Sequence, residues 1–260
     1  MAETVAAAPS LARGNRRALA TLGILVAAVA FFAVVANQAL VDAALRRWFP
    51  PTPDPVFPTP LLQLTLQHLA IVAISSALTI AVGVPLGIWV TRTSGLDFRD
   101  IVSAGVDFGQ AFPPIAVLAL LFPVLGLGPG SAILALSLYG LLPVVSSTVA
   151  GIEGVPPPVV DAARGMGLGR VRILFTVELP LAARVILGGI RTSVIINVGT
   201  ATVAAAVGAG GLGLPIFTGI STNNLGYVIE GALAVSALAL VLDGALAVLT
   251  LWVSPEGLPE

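Results

Sequence analysis

DAARGMGLGRVRILFTVELP, residues 161–180, carries five charged side chains in a chain of 260 residues that is 57% hydrophobic and only 10% charged. An ordinary soluble domain carries roughly 25% charged residues, and the mean hydropathy here is +1.03. A chain that cannot cover its surface with polar groups is solvated by lipid, so a polar interruption of this length needs a structure of its own. Pro156, Pro157 and Pro158 stand where a first helical turn tolerates them, and Val159 to Arg164 are helix-compatible. Gly165, Gly167 and Gly169 then permit positive φ and a sharp reversal. After the turn, RVRILFTVEL sets Val171, Leu174, Phe175 and Glu178 on adjacent helical rows, and Pro180 is predicted to end this second helix. The segment reads as helix, glycine turn, helix: a compact knob rather than a linker.

Outward from the knob, six stretches approach the roughly 20 apolar residues that cross a bilayer: 18–40, 66–90, 101–125, 131–152, 185–207 and 225–253. The first follows Arg13, Arg16 and Arg17 but exceeds the roughly 7–15 apolar residues of a cleaved signal, so it is expected to remain as a span. Positive residues are retained on the cytoplasmic side. With the N-terminus inside, Arg92, Arg99, Arg164, Arg170, Arg172, Arg184 and Arg191 join the three N-terminal arginines on that side, and only Arg46 and Arg47 fall outside. Both termini and the knob are therefore expected to be cytoplasmic in a multi-pass protein of the cell (inner) membrane. Residues 1–17 read as a cytoplasmic tail and 18–260 as one transmembrane domain with a cytoplasmic loop at about 153–180. The proline-rich WFPPTPDPVFPTP, residues 48–60, reads as a stiff external loop, with Trp48 and Phe49 marking the interface.

The pattern Asp161-Ala162-Ala163, then Gly167, Val177, Leu179 and Pro180 resembles the EAA loop of ABC-importer permeases, with Asp161 where the family usually has Glu. Arg164 is counted with that loop. The resemblance narrows through Gly109–Gly128, Leu138–Ile152, Val177–Val194 and Gly199–Ile220, which look like permeases for osmoprotectants such as glycine betaine, choline and carnitine. Ser146 and Ser147 stand where that family commonly has Arg-Asn. The resemblance implies an all-α membrane protein, six transmembrane helices with a cytoplasmic helical-hairpin coupling loop, in the type I ABC importer permease fold. It also implies a transport subunit rather than an enzyme. Its partners would be ATP-binding cassette ATPase subunits, a separate extracytoplasmic substrate-binding protein and a second permease subunit, identical or homologous. This chain would bind no cofactor, with ATP and Mg on the ATPase. A permease for methionine or another amino acid, and a non-ABC secondary carrier or channel, remain open alternatives.

Other chemistries are disfavoured by the residues themselves. Gly208, Gly210 and Gly213 match G-x-G-x-x-G with Glu230 beyond them, but a dinucleotide fingerprint must join a short strand to a helix, and here a bilayer-length stretch precedes it. An external hairpin is the expected role. The chain has no lysine for a phosphate-binding loop and no cysteine, and its one histidine, His68, lacks companions for a zinc site. A net charge of -1 speaks against a basic nucleic-acid binder. Polar groups within the spans, Asp107, Gln110, Asn197, Glu230 and Asp243, are expected to pin helices together or to line a path. Gln110 sits beside Phe112, Pro113 and Pro114, where the double proline frees backbone carbonyls. A quaternary ammonium substrate would suit aromatic faces, and Phe112, Tyr139 and Phe217 are the candidates. With Gln110, Pro113 and Asn197 these form the expected substrate pathway.

Overall fold

The computed structural model describes residues 8–48 and 57–253, and no strand occurs among them. The helices are α1 (Ala8–Ala36), α2 (Gln38–Trp48), α3 (Leu61–Val90), α4 (Arg99–Ala111), α5 (Pro114–Leu125), α6 (Pro129–Glu153), α7 (Pro157–Gly165), α8 (Arg170–Ile173), α9 (Leu179–Ala204), α10 (Gly213–Ser221) and α11 (Leu225–Val253). Among the described residues, five helices are long and apolar enough to cross a membrane: Arg17–Ala36, Leu61–Val90, Pro129–Glu153, Arg170–Val207 and Leu225–Val253. In lipid every backbone polar group must be satisfied internally, which leaves the helix as the form these apolar runs adopt.

Three boundaries differ from the sequence expectation. The stretch 101–125 is not one continuous helix, because α4 and α5 are separated at Phe112 and Pro113. Phe112 is extended, φ -82° and ψ 139°, as the residue before a proline is driven out of the helical region. Pro114 then opens α5, where its missing N–H costs no helical bond. At the N-terminus, α1 already begins at Ala8, inside the expected tail, and Asn37 ends the first span. Its Oδ1 accepts the Leu40 N–H at 3.1 Å and so caps α2. Third, Pro180 does not stop the helix it follows. Residues Leu174–Glu178 form a π turn in which the Leu179 N–H donates to Leu174 O, and α9 continues directly. The widened turn receives the proline ring and its absent donor in place of a regular i−4 bond.

The centre of the bundle is the packing of α6 against α3 and α9, and small residues set its closeness. A methyl added at Gly87 would lie 2.6 Å from Thr148 Cβ, and one at Gly83 would lie 2.9 Å from Val144 Cγ1. Gly140 meets Ser193 Oγ and Thr79, and Gly189 meets Ser147 and the Pro143 carbonyl. Helices without large side chains at the crossing approach closely enough for dispersion and hydrogen bonds to replace the hydrophobic drive that lipid does not supply. Hydroxyls exploit that approach. Thr79 Oγ1 donates to Ser137 O at 2.9 Å, Ser137 Oγ donates to Ser75 O at 3.2 Å, and Asn197 Nδ2 donates to Ser76 Oγ at 3.2 Å. His68, fully buried on α3, lies 3.0 Å through Nε2 from Val198 O, so that nitrogen carries the proton. A large apolar cluster of Ile71, Val72, Leu118, Leu136 and Val198 fills the space beside this polar seam. We expect Gly140→Val to destabilise the chain by about 1–3 kcal/mol, the usual cost of overpacking, read as a lower Tm in detergent, with Gly105→Val, whose added Cβ meets nothing within 4 Å, as the near-neutral control.

Candidate functional site

The knob at residues 157–180 forms at one end of the bundle. Pro157 and Pro158 occupy the first turn of α7, where the free N–H groups of a helix start would otherwise need partners. Its far end is closed by backbone bonds: Gly167 N–H to Arg164 O at 2.9 Å and Leu168 N–H to Ala163 O at 3.2 Å. With Gly167 at φ +81°, this is a Schellman cap, and glycine is needed there because a Cβ is disfavoured in the left-handed region. Gly165 lies within α7, and Gly169 is extended at φ -71°, so only one of the three glycines makes the reversal. Asp161 and Arg164 face solvent and pair at 3.0 Å. Ala162 is exposed while Ala163 is buried. Val177 and Leu179 are half-buried and Pro180 exposed. Val159, Met166, Val171 and Phe175 are exposed apolar residues on the same hairpin.

The hairpin is tied to the bundle by an ion pair that the motif itself does not announce, and a second pair braces the end of α6 beside it. Arg92, just past the end of α3, donates through Nη2 to Glu178 Oε2 at 2.6 Å. Arg99, opening α4, grips Glu153 at the end of α6 with two bonds of 2.6 and 2.9 Å. A cavity of about 240 Å³ lies between α7 and the ends of α3 and α6, lined by Arg92, Glu153, Val160, Asp161, Arg164 and Glu178 among others. The visible signal for these pairs was a carboxylate immediately before Leu179-Pro180 and an arginine immediately after an apolar span; which charge meets which is set only by the fold.

The residues expected to line a pathway fall in separate settings. Asn197 is fully buried in the α3, α6 and α9 seam, and Tyr139 is buried on α6. Phe112 is half-buried at the α4–α5 break, edge to face with Phe108 at 4.9 Å between ring centroids. Pro113 is exposed beside it, and Phe217 is half-buried on α10 at the opposite end from the hairpin. The Gln110 side chain, like Phe49 and the loop that follows it, lies outside the described residues. Asp243 is paired: Arg191 Nε and Nη2 donate to its two carboxylate oxygens at 2.6 Å each, joining α9 to α11. Arg191 therefore lies well inside α9 rather than at the span's end. Glu230, buried on α11, accepts the Phe57 N–H at 2.7 Å and ties down the start of the α3 segment.

The glycine run 208–213 is preceded by the end of α9 and a 3₁₀ turn, not by a strand. Gly208, Gly210 and Gly211 have φ between +77° and +79°, and the Gly211 N–H donates to Gln67 Oε1 at 3.2 Å. It is a helix-to-helix hairpin packed on α3, without the strand a dinucleotide site needs.

Residues 83–254 match the family described as "Binding-protein-dependent transport system inner membrane component". The chain belongs to this family. The match contains the whole hairpin and the spans on either side of it, so this family member is a multi-pass membrane permease component. The chain is 42% identical over 164 residues to the osmoprotectant import permease protein OsmY of Salmonella typhimurium, covering 63% of this chain and 70% of that one. It is 40% identical over 161 residues to the choline transport system permease protein OpuBB of Bacillus subtilis, covering 62% and 73%. Among solved structures, it resembles an inward-facing conformation of the MetNI methionine ABC transporter with a TM-score of 0.68, 22% identity and coverage of 76% of this chain and 100% of that chain. An amino acid ABC transporter solved with histidines gives 0.59, 15%, 80% and 95%. At these identities the likeness is one of fold, the type I importer permease fold.

The cap makes a specific demand on Gly167. Gly167→Ala is expected to loosen α7 by about 1 kcal/mol, which speeds amide hydrogen exchange over residues 157–168 roughly fivefold. Gly167→Asn should exchange more slowly than Gly167→Ala, since asparagine tolerates the left-handed region.

Proposed function

We propose that this chain is the permease subunit of an ABC importer for osmoprotectants of the quaternary ammonium class, glycine betaine, choline or carnitine, and that its 157–180 hairpin docks on the ATPase. The observation that carries the reading is the hairpin: a capped helix with exposed apolar residues, placed inside the region that matches the family. The names of the relatives support the substrate class.

Two permease subunits, identical or homologous, form the pathway, and two ATP-binding subunits grip the two hairpins, with ATP and Mg held by those subunits. Closure of the ATPases moves α7, and the helix running from Arg170 to Val207 carries that motion into the membrane. An external binding protein loaded with substrate prefers the outward-open state and so biases the equilibrium toward it, which coupling requires. The arginine distribution supports a topology with the hairpin and both termini in the cytoplasm.

In proteoliposomes holding this chain with its ATPase and binding protein, uptake of labelled glycine betaine or choline is expected to require both ATP and the binding protein. ATP hydrolysis stimulated by the binding protein without uptake of either compound would discard the substrate class and keep the permease. The topology has its own test. The chain has no native cysteine, and Gly169 has ordinary φ with no atom within 4 Å of an added Cβ. Gly169→Cys should react with an impermeant thiol reagent in inside-out vesicles and not in intact cells; labelling in intact cells would reverse the assignment.

A further inference from the structure

Motion of α7 must reach three central helices, and the structure connects it to them unequally. α9 is continuous with the hairpin through α8 and the π turn. α6 is joined to α7 by the short segment after Glu153. α3 has no such chain connection: the principal packing of α7 is on α8 and the π turn, and a cavity of about 240 Å³ lies between it and the end of α3. Slightly deeper, Val84 and Ile88 of α3 join Ile152, Ala182 and Ile186 in an apolar cluster. Apolar contact resists separation but is non-directional, and the directional α3–α9 bonds, Asn197 to Ser76 and His68 to Val198 O, lie farther along the two helices from the hairpin. At the hairpin itself the directional tie to α3 is Arg92 with Glu178, at 2.6 Å.

Glu178 is the last residue of the π turn and is buried. Reverting that turn to α geometry would remove one residue from it and swing Glu178 about the helix axis by about 100°, which the charge-assisted bond opposes. Arg92 also keeps a buried Nε without a partner, an unused donor that suits a contact remade between two arrangements. We propose that Glu178 and Arg92 are positioning residues for energy coupling, their ion pair making α3 follow the hairpin. The inference rests on the reading of the hairpin as the ATPase-docking element.

The test uses the complete reconstituted transporter and reads molecules of glycine betaine or choline carried per ATP hydrolysed. ATP-dependent uptake by the unmodified complex is measured first, and its absence would remove the proposed function rather than this inference. With uptake present, Glu178→Gln and Arg92→Gln should each lower the ratio about tenfold, within the range of site-to-site coupling, while binding-protein-stimulated ATP hydrolysis persists. The doubly reversed R92E/E178R chain should recover most of the loss. A merely structural role would lower the amount of assembled complex and leave the ratio per complex unchanged. Single variants with the unmodified ratio, or a reversed pair as poor as the singles, would overturn the proposal. Should a single variant not assemble, the reversed pair decides alone: a ratio near that of the unmodified complex supports it, and one about tenfold lower overturns it.

Discussion

The close approach of α3, α6 and α9 is the constraint on which the remaining structure depends. Lipid offers these helices no hydrophobic reward for meeting, so contact must come from dispersion and from hydrogen bonds made at short range. Glycine at positions 83, 87, 140 and 189 removes the side chains that would hold the backbones apart. Thr79, Ser137 and Asn197 then reach carbonyls and hydroxyls on the facing helix. A seam of small and hydroxylated residues is thus both closely packed and polar, and α1, α10 and α11 are laid around it.

That rigidity gives the hairpin something to act on. A nine-residue helix such as α7 is too short to be stable alone. Here prolines open it, a glycine cap closes it, and the π turn backs it. Only one of its residues is buried, which leaves most of its surface accessible. The break at Phe112–Pro113 stands in contrast to the seam. Where α3, α6 and α9 are continuous, the α4–α5 segment is discontinuous, and irregular backbone at depth is compatible with a membrane only where it is packed in protein or lines a cavity.

Much of the hairpin was legible in the sequence. Prolines followed by helix formers, then glycines, specify local geometry through φ preferences and missing donors that act within a few residues. The choice of Gly167 over Gly165 and Gly169 was not legible, since all three permit the turn and the length of α7 decides which one falls at the cap. The continuation of the helix past Pro180 was likewise hidden, because a proline stops a helix only when the turn before it is regular. The six expected pathway residues show the limit more sharply. Asn197 and Tyr139 are seam residues in this conformation, while Phe112 sits at a helix break and Phe217 on a different helix. Residue type can propose a cation-binding surface but cannot bring distant helices to one side of it.

By itself the sequence determined that this is a helical membrane protein with a polar hairpin between two spans, because bilayer thickness and backbone hydrogen bonding leave an apolar run of that length almost no other form. Only the tertiary structure decided the partners of its charges: Arg92 with Glu178, Arg99 with Glu153, and Arg191 with Asp243. Those residues lie 52 to 86 positions apart. Nothing local couples them, and they meet only because glycine-lined packing sets the depth and rotation of each helix against the next.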